Sequence, residues 1–155
     1  MLFTGYSEHS IDAKGRLSVP SKYRTNWDES RDGSAWFALP WPGDTPDETT
    51  IRLYTERGFE RLADTWEDSL TPDPVEAELQ SALFSLAERL ELDAQGRLRI
   101  PAHQLELTGL SGPVVLVGAR SRLEVRSRDE WLARKTDRFQ KLNALAARWA
   151  ATKKD

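Results

Sequence analysis

Strand signals run along Gly5–Ile11 and along Leu17–Val19, and in the latter apolar and polar positions alternate with the period of two of a β-strand. In the second strand Leu17 and Val19 share one face, while Arg16 and Ser18 take the other. Between the strands stands Asp12-Ala13-Lys14-Gly15, which predicts a hairpin turn. An Asp carboxylate can accept local backbone N–H bonds there, and a Gly can take positive φ without a Cβ clash. Pro20 ends the strand and suits the first turn of a short helix, from Ser21 to about Trp27.

The same grammar returns 81 residues later. Residues 11–20 read Ile-Asp-Ala-Lys-Gly-Arg-Leu-Ser-Val-Pro, and residues 92–101 read Leu-Asp-Ala-Gln-Gly-Arg-Leu-Arg-Ile-Pro. Leu90–Leu92 leads in, Asp93-Ala94-Gln95-Gly96 turns, and Arg97–Ile100 leads out to Pro101 and a helix capped by Gly109. A more hydrophobic hairpin follows each copy. The first joins Ala35–Leu39 to Thr50–Tyr54 through the long loop Pro40–Pro46, and the second joins Val114–Val117 to Arg122–Val125 through a turn with Gly118.

A helix then follows each hairpin. Thr55 caps one with Phe59, Leu62, Trp66 and Leu70 on a stripe. Ser127 and Glu130 have capping-box spacing for another, carrying Leu132, Phe139, Leu142, Ala146 and Trp149. Pro72-Asp73-Pro74 breaks the chain, and Val75–Glu88 reads as a connecting helix with Val75, Leu79, Ala82, Leu83 and Leu86 inward. The duplication predicts two related modules, 1–72 and 73–155, packed as one unit because no low-complexity linker separates them.

Composition narrows the class. With 155 residues, 39% hydrophobic and 30% charged, the chain is of globular type. No apolar run has the length of a membrane span, and the first residues lack a signal peptide's basic start and apolar stretch, so a cytoplasmic location is expected. The absence of cysteine excludes disulfides, thiolate metal sites and cysteine nucleophiles. Net charge changes the picture more. Residues 28–78 hold 14 Asp/Glu against four Arg and no Lys, a net of −10, which leaves +7 for the rest of a chain whose total is −3. A basic face can therefore coexist with an acidic protein.

The candidate chemistry lies at the repeated turns. Lys14 and Arg16 flank the first glycine; Gln95, Arg97 and Arg99 accompany the second. An arginine fork can pair bidentately with phosphate oxygens or a guanine edge. The competing reading is purely structural, with Asp12 pairing Arg16 and Asp93 pairing Arg97 across their own turns. A lone copy favours that reading; two copies with matching Gly, Leu and Pro favour a functional surface. Trp66, Trp131 and Trp149 read as helix-packing residues, Trp36 as a core residue, and Trp41, between prolines, as an exposed contact. His9 and His103 are too few and too far apart to predict a metal site, and no cofactor motif is present. The stretch 134–154 has seven Lys/Arg against one Asp. It reads first as a solvated helix face, then as a docking helix for a neighbouring subunit, then as extra phosphate contact.

Taken together, these blocks resemble the MraZ family of bacterial DNA-binding transcriptional regulators, related to the AbrB group. The resemblance rests on Phe3 to Pro20, Leu53-Tyr54-Thr55, Leu92 to Pro101, and Gly109-Leu110 followed by Val114 to Gly118. It implies an α+β fold: an AbrB-like, swapped-hairpin β-barrel made by two pseudo-symmetric repeats of one chain, with flanking helices. It also implies a homo-oligomeric ring that contacts double-stranded DNA at short direct repeats upstream of the division and cell-wall gene cluster, with nucleoid association. By position, Lys14, Arg16, Arg97, Arg24 and Arg99 become the DNA-binding candidates, and Asp12, Gly15, Asp93 and Gly96 orient the turns. Gln95 stands where a second Lys is expected, Leu105 where the family usually has Arg, and Val125-Arg126 replaces an aliphatic–Trp pair. The alternative function is an antitoxin-like or other protein-interaction module on the same barrel. An enzyme is disfavoured, because the chain has no phosphate-binding glycine loop, His/Cys constellation or nucleophile elbow.

Overall fold

The structure is a computed structural model and describes residues 1–154. Among the described residues eight strands and seven α-helices are formed, all strand pairs antiparallel. The first half contributes β1 (Tyr6–Ile11), β2 (Arg16–Ser18), α1 (Ser21–Thr25), α2 (Glu29–Asp32), β3 (Trp36–Trp41), β4 (Thr50–Thr55) and α3 (Glu56–Ala63). The second contributes α4 (Pro74–Leu86), β5 (Glu88–Leu90), β6 (Arg97–Arg99), α5 (Ala102–Thr108), β7 (Gly112–Gly118), β8 (Leu123–Ser127), α6 (Arg128–Ala133) and α7 (Lys135–Thr152).

Six strands make one sheet in the order β1-β7-β8-β4-β3-β5, and β2 pairs with β6 in a separate ribbon. The order is palindromic with respect to the two repeats. Each repeat keeps its own hairpin, β3–β4 or β7–β8, but its leading strand joins the hairpin of the other repeat. In the ribbon Leu17 faces Leu98, with Arg16 opposite Arg99 and Ser18 opposite Arg97.

Two expectations are corrected here. β1 and β2 do not form a ladder with each other across Asp12–Gly15; each pairs with the opposite repeat. A three-residue strand offers little to hold a local hairpin, whereas the second copy supplies a strand of matched length and pattern. The six-stranded sheet also does not close into a barrel, since β1 and β5 remain its edges. What covers one of its faces is the ribbon.

Alternation explains that covering. Trp36 and Ala38 of β3, Ile51 and Leu53 of β4, Val114 and Leu116 of β7, and Leu123 and Val125 of β8 point to one side. There they meet Leu17, Val19, Leu98 and Ile100 from the ribbon and its exits, together with Phe3, Ile11, Tyr23 and Leu110. The opposite side of β3 and β4 presents Leu39 and Tyr54 to Phe59 of α3, with Leu83 and Leu86 of α4 packed around them. Tyr23 and Gln104, separated by the repeat offset, pin α1 and α5: the Tyr23 hydroxyl donates to the Thr4 carbonyl at 2.9 Å, and Gln104 Nε2 donates to the carbonyls of Ala38 and Leu86, each at 2.9 Å.

The helices depart further from expectation. Thr55 does cap α3, accepting from Gly58 N at 3.0 Å, but α3 ends at Ala63 and leaves Leu70 fully exposed. In α4 Leu83 and Leu86 turn inward, whereas Val75, Leu79 and Ala82 are exposed. Ser127 accepts from Glu130 N as a cap, but the helix breaks at Arg134 into α6 and α7. The Glu130 carboxylate is drawn to Arg138 at 2.9 Å rather than back to the cap. Trp36 is buried, Trp41 is half-buried beneath the Arg52 guanidinium, and Trp149 is exposed rather than packed. Among the described residues no helix is long and apolar enough to cross a membrane.

Candidate nucleic-acid interface

The two repeated turns fold to the same hydrogen-bond pattern. Asp12 Oδ1 accepts from the backbone N–H groups of Lys14 and Arg16, both at 2.9 Å, and its Oδ2 accepts from Arg16 Nε at 2.6 Å. Asp93 Oδ1 accepts from Gln95 N and Arg97 N, both at 2.9 Å, and its Oδ2 accepts from Arg97 Nε at 2.9 Å. Gly15 and Gly96 close the turns at φ +80° and +76°. The glycine carbonyls then cross to the other repeat: Gly15 O accepts from Ile100 N, and Gly96 O from Val19 N. Each turn is therefore tied to the strand that follows the other.

Asp12 is held down at about 2, chiefly by the Arg16 backbone N–H, with the Arg16 guanidinium and the Lys14 N–H adding to it. Asp93 is lowered for the corresponding reason, first by the Arg97 N–H. Both carboxylates are thus ionised at neutral pH. The pairing engages Nε of each arginine and leaves the terminal nitrogens of Arg16 without a protein acceptor among the described residues. The structural pairing is present in both turns, and at Arg16 it leaves the terminal nitrogens available to a further acceptor.

Strand geometry gathers the cations. Leu17 and Leu98 are fully buried beneath the ribbon, so Arg16, Ser18, Arg97 and Arg99 share its outer face. Arg16 stands directly opposite Arg99. Such cross-strand neighbours have Cβ atoms about 5 Å apart, a spacing at which like charges repel. Among the described residues neither Lys14 nor Arg99 has an ion-pair partner. Arg16 is paired to Asp12 while Lys14 and Arg99 are not paired, so this face carries positive charge in excess of its carboxylates and suits an anion from outside.

Arg24 sits elsewhere than on that strand face. Its Nε donates to the Val19 carbonyl at 3.2 Å, and its guanidinium lies against Gly96, where a Cβ would meet Cζ at 2.7 Å. At the position related by the repeat, Leu105 covers Gly15, where a Cβ would meet Leu105 Cδ1 at 3.4 Å. Each turn is thus backed by the residue four positions after the proline of the other repeat. The sequence pattern does not reveal this brace, because its partners lie about half a chain apart. Among the described residues no group of three or more His, Asp or Glu side chains could hold a metal ion; His103 pairs with Glu88 and His9 with Ser7.

A family model described as "MraZ protein, putative antitoxin-like" matches residues 2–32 and 83–149. The chain belongs to the MraZ family. The matched segments contain both turns, both ribbon strands and the brace residues Arg24 and Leu105. A protein of Coxiella burnetii named "Transcriptional regulator MraZ" is 29% identical over 136 residues, 88% of this chain and 86% of its own. Relatives of the same name from Thioalkalivibrio sulfidiphilus and Chlorobium phaeovibrioides are 31% and 33% identical, over 84% and 79% of this chain and 87% and 82% of theirs.

Proposed function

We propose that the protein is a sequence-specific DNA-binding transcriptional regulator, working as a homo-oligomeric ring on short direct repeats upstream of the division and cell-wall gene cluster. One observation carries this reading: Arg16 and Arg99 face each other on the exposed side of the β2–β6 ribbon, with Lys14 and Arg97 nearby. Arg16, Arg97 and Lys14 are the principal DNA contacts. Arg99 adds charge to the first turn. Arg24 serves the second turn as brace and cation together. Asp12, Gly15, Asp93 and Gly96 set the direction of the forks.

The exchange of leading strands between repeats supports an AbrB-like, swapped-hairpin ancestry, with one chain standing for two. Phosphate neutralisation supplies affinity and makes it salt-dependent; a few arginine contacts to base edges supply selectivity. A ring bearing many such faces gains affinity on repeated sites through effective concentration. The regulator is non-enzymatic, needs no cofactor, and acts in the cytoplasm at the nucleoid.

The test is a footprint of the full chain across DNA upstream of its own gene, at two salt concentrations. Protection of regularly spaced repeats that weakens with salt is expected. Uniform, unphased protection would remove the sequence-specific part. The family description as antitoxin-like favours one second reading, a module that binds a protein partner. A stoichiometric protein ligand, recovered without promoter DNA, is the outcome belonging to that reading.

A further inference from the structure

Helix α7 runs for 18 residues, about 27 Å, with none of its residues buried. Its apolar side chains are nevertheless ordered into a stripe. Phe139, Leu142, Ala146 and Trp149 recur at helical spacing, and Phe139, Leu142 and Trp149 are 77%, 61% and 64% exposed. A solvated helix does not need such a stripe, and aromatic residues are the usual anchors of protein contacts.

An apolar cleft lies beside the surface that α7 itself borders, the two sharing Trp41 and Arg52. Leu39, Tyr54 and Phe59 form its floor, Leu83 its wall, and Leu62 and Phe84 its half-open rim, around about 200 Å³ of space. That is room for one large apolar side chain. The chain around it is acidic: residues 56–78 carry eight Asp/Glu against two Arg, with Glu60, Asp64, Glu67 and Asp68 exposed. Helix α7 and its flanks carry the opposite sign, seven Lys/Arg against one Asp over residues 134–154. The apolar stripe complements the apolar cleft, and the basic helix complements the acidic segment 56–78 that carries part of the cleft's lining, Arg52 being the one charged residue within it.

We propose that α7 of one copy docks in the α3/α4 cleft of the next, an aromatic of the stripe entering the space beside Phe59. The contact joins two different surfaces, so it is heterologous and propagates head to tail until a ring closes. The inference rests on the oligomeric part of the reading above and is independent of the DNA-binding part. The basic helix then neutralises the acidic middle of its neighbour, leaving the ribbon cations as the protein's free positive surface.

The test uses sedimentation of the full chain over a dilution series, with three proteins. Leu142→Glu/Trp149→Glu changes only exposed positions of α7, and Leu62→Glu changes the exposed rim of the cleft. Wild type is expected to assemble and each variant to sediment as a monomer with unchanged circular dichroism. Mixing the two variants is expected to yield a one-to-one dimer and nothing larger, because one variant retains the cleft and the other retains the helix. Failure of the mixture to pair, or assembly of Leu62→Glu like wild type, overturns the proposal. Because the chain has no cysteine, Ala63→Cys and Ala146→Cys on separate copies give a second readout. Oxidation is expected to join these two variants to each other, whereas cross-linking of Ala146→Cys only to itself overturns the heterologous geometry. Gel shifts of Leu142→Glu/Trp149→Glu on a single repeat separate this failure from loss of DNA binding.

Discussion

The two turns share a backbone and differ in charge. Asp12 and Asp93 make the same three hydrogen bonds, and Gly15 and Gly96 take nearly the same φ. Yet the first turn has Lys14 where the second has Gln95, Arg99 across the ribbon where the second has Ser18, and Leu105 behind it where the second has Arg24. The first turn therefore gathers three cations on an apolar brace, and the second gathers Arg97 and a brace that is itself charged. Duplication has kept what the fold needs at each turn and let the electrostatics diverge.

If that divergence matters for binding, removing each arginine should not cost the same. Arg16→Ala is expected to weaken repeat binding by about ten- to a hundredfold, the range for losing a charge-assisted hydrogen-bond pair. Arg97→Ala should cost several-fold less in the same anisotropy titration. Equal losses would erase the comparison.

The braces can be compared through the glycines. Both sit at positive φ, so an added Cβ costs on the order of 1–2 kcal/mol at either turn. At Gly15 the Cβ would also meet the Ile100 carbonyl at 3.0 Å, a backbone atom fixed by the ribbon, whereas at Gly96 it meets the end of the flexible Arg24 side chain. Gly15→Ala should therefore lower the urea midpoint more than Gly96→Ala, and the reverse order would contradict the brace geometry.

A smaller effect should come from making the turns alike. Gln95→Lys adds the missing cation at an exposed position, and the expected result is a few-fold tighter binding with a salt slope steeper by about 0.9, one phosphate's worth. An unchanged slope would mean that the second turn does not approach the backbone of the DNA.

The pH dependence is the smallest of the four. Asp12 is depressed from 3.8 to about 2, so its charged form favours the folded state. Its contribution is complete above about pH 4 and is lost as pH falls through 2. The stability advantage of wild type over Asp12→Asn should shrink across that window in acid unfolding curves. A difference that stays constant down to pH 2 would dissociate the turn from its carboxylate.

Much of this site was legible before any coordinates. Asp-x-x-Gly-Arg determines a turn by itself, because the bonds that its carboxylate makes all lie within four residues. The same locality made the caps at Thr55 and Ser127 and the stop at Gly109 readable. The alternation of Arg16, Leu17 and Ser18, and of Arg97, Leu98 and Arg99, already divided buried from outer side chains. Which strand lies beside which was not readable. β2 and β6 are three residues each, too short for pattern to specify a partner, and β1 could have paired with either repeat's hairpin on pattern alone.

From the chain alone came the duplicated turn, its carboxylate–guanidinium pair and the cations that accompany it, since these depend on neighbours in sequence. Only the tertiary structure decided that Arg16 would face Arg99, that Arg24 and Leu105 would brace opposite turns, and that the stripe on α7 would remain uncovered. Those outcomes depend on contacts between segments tens of residues apart, where an apolar pattern marks a face to be buried without naming what buries it.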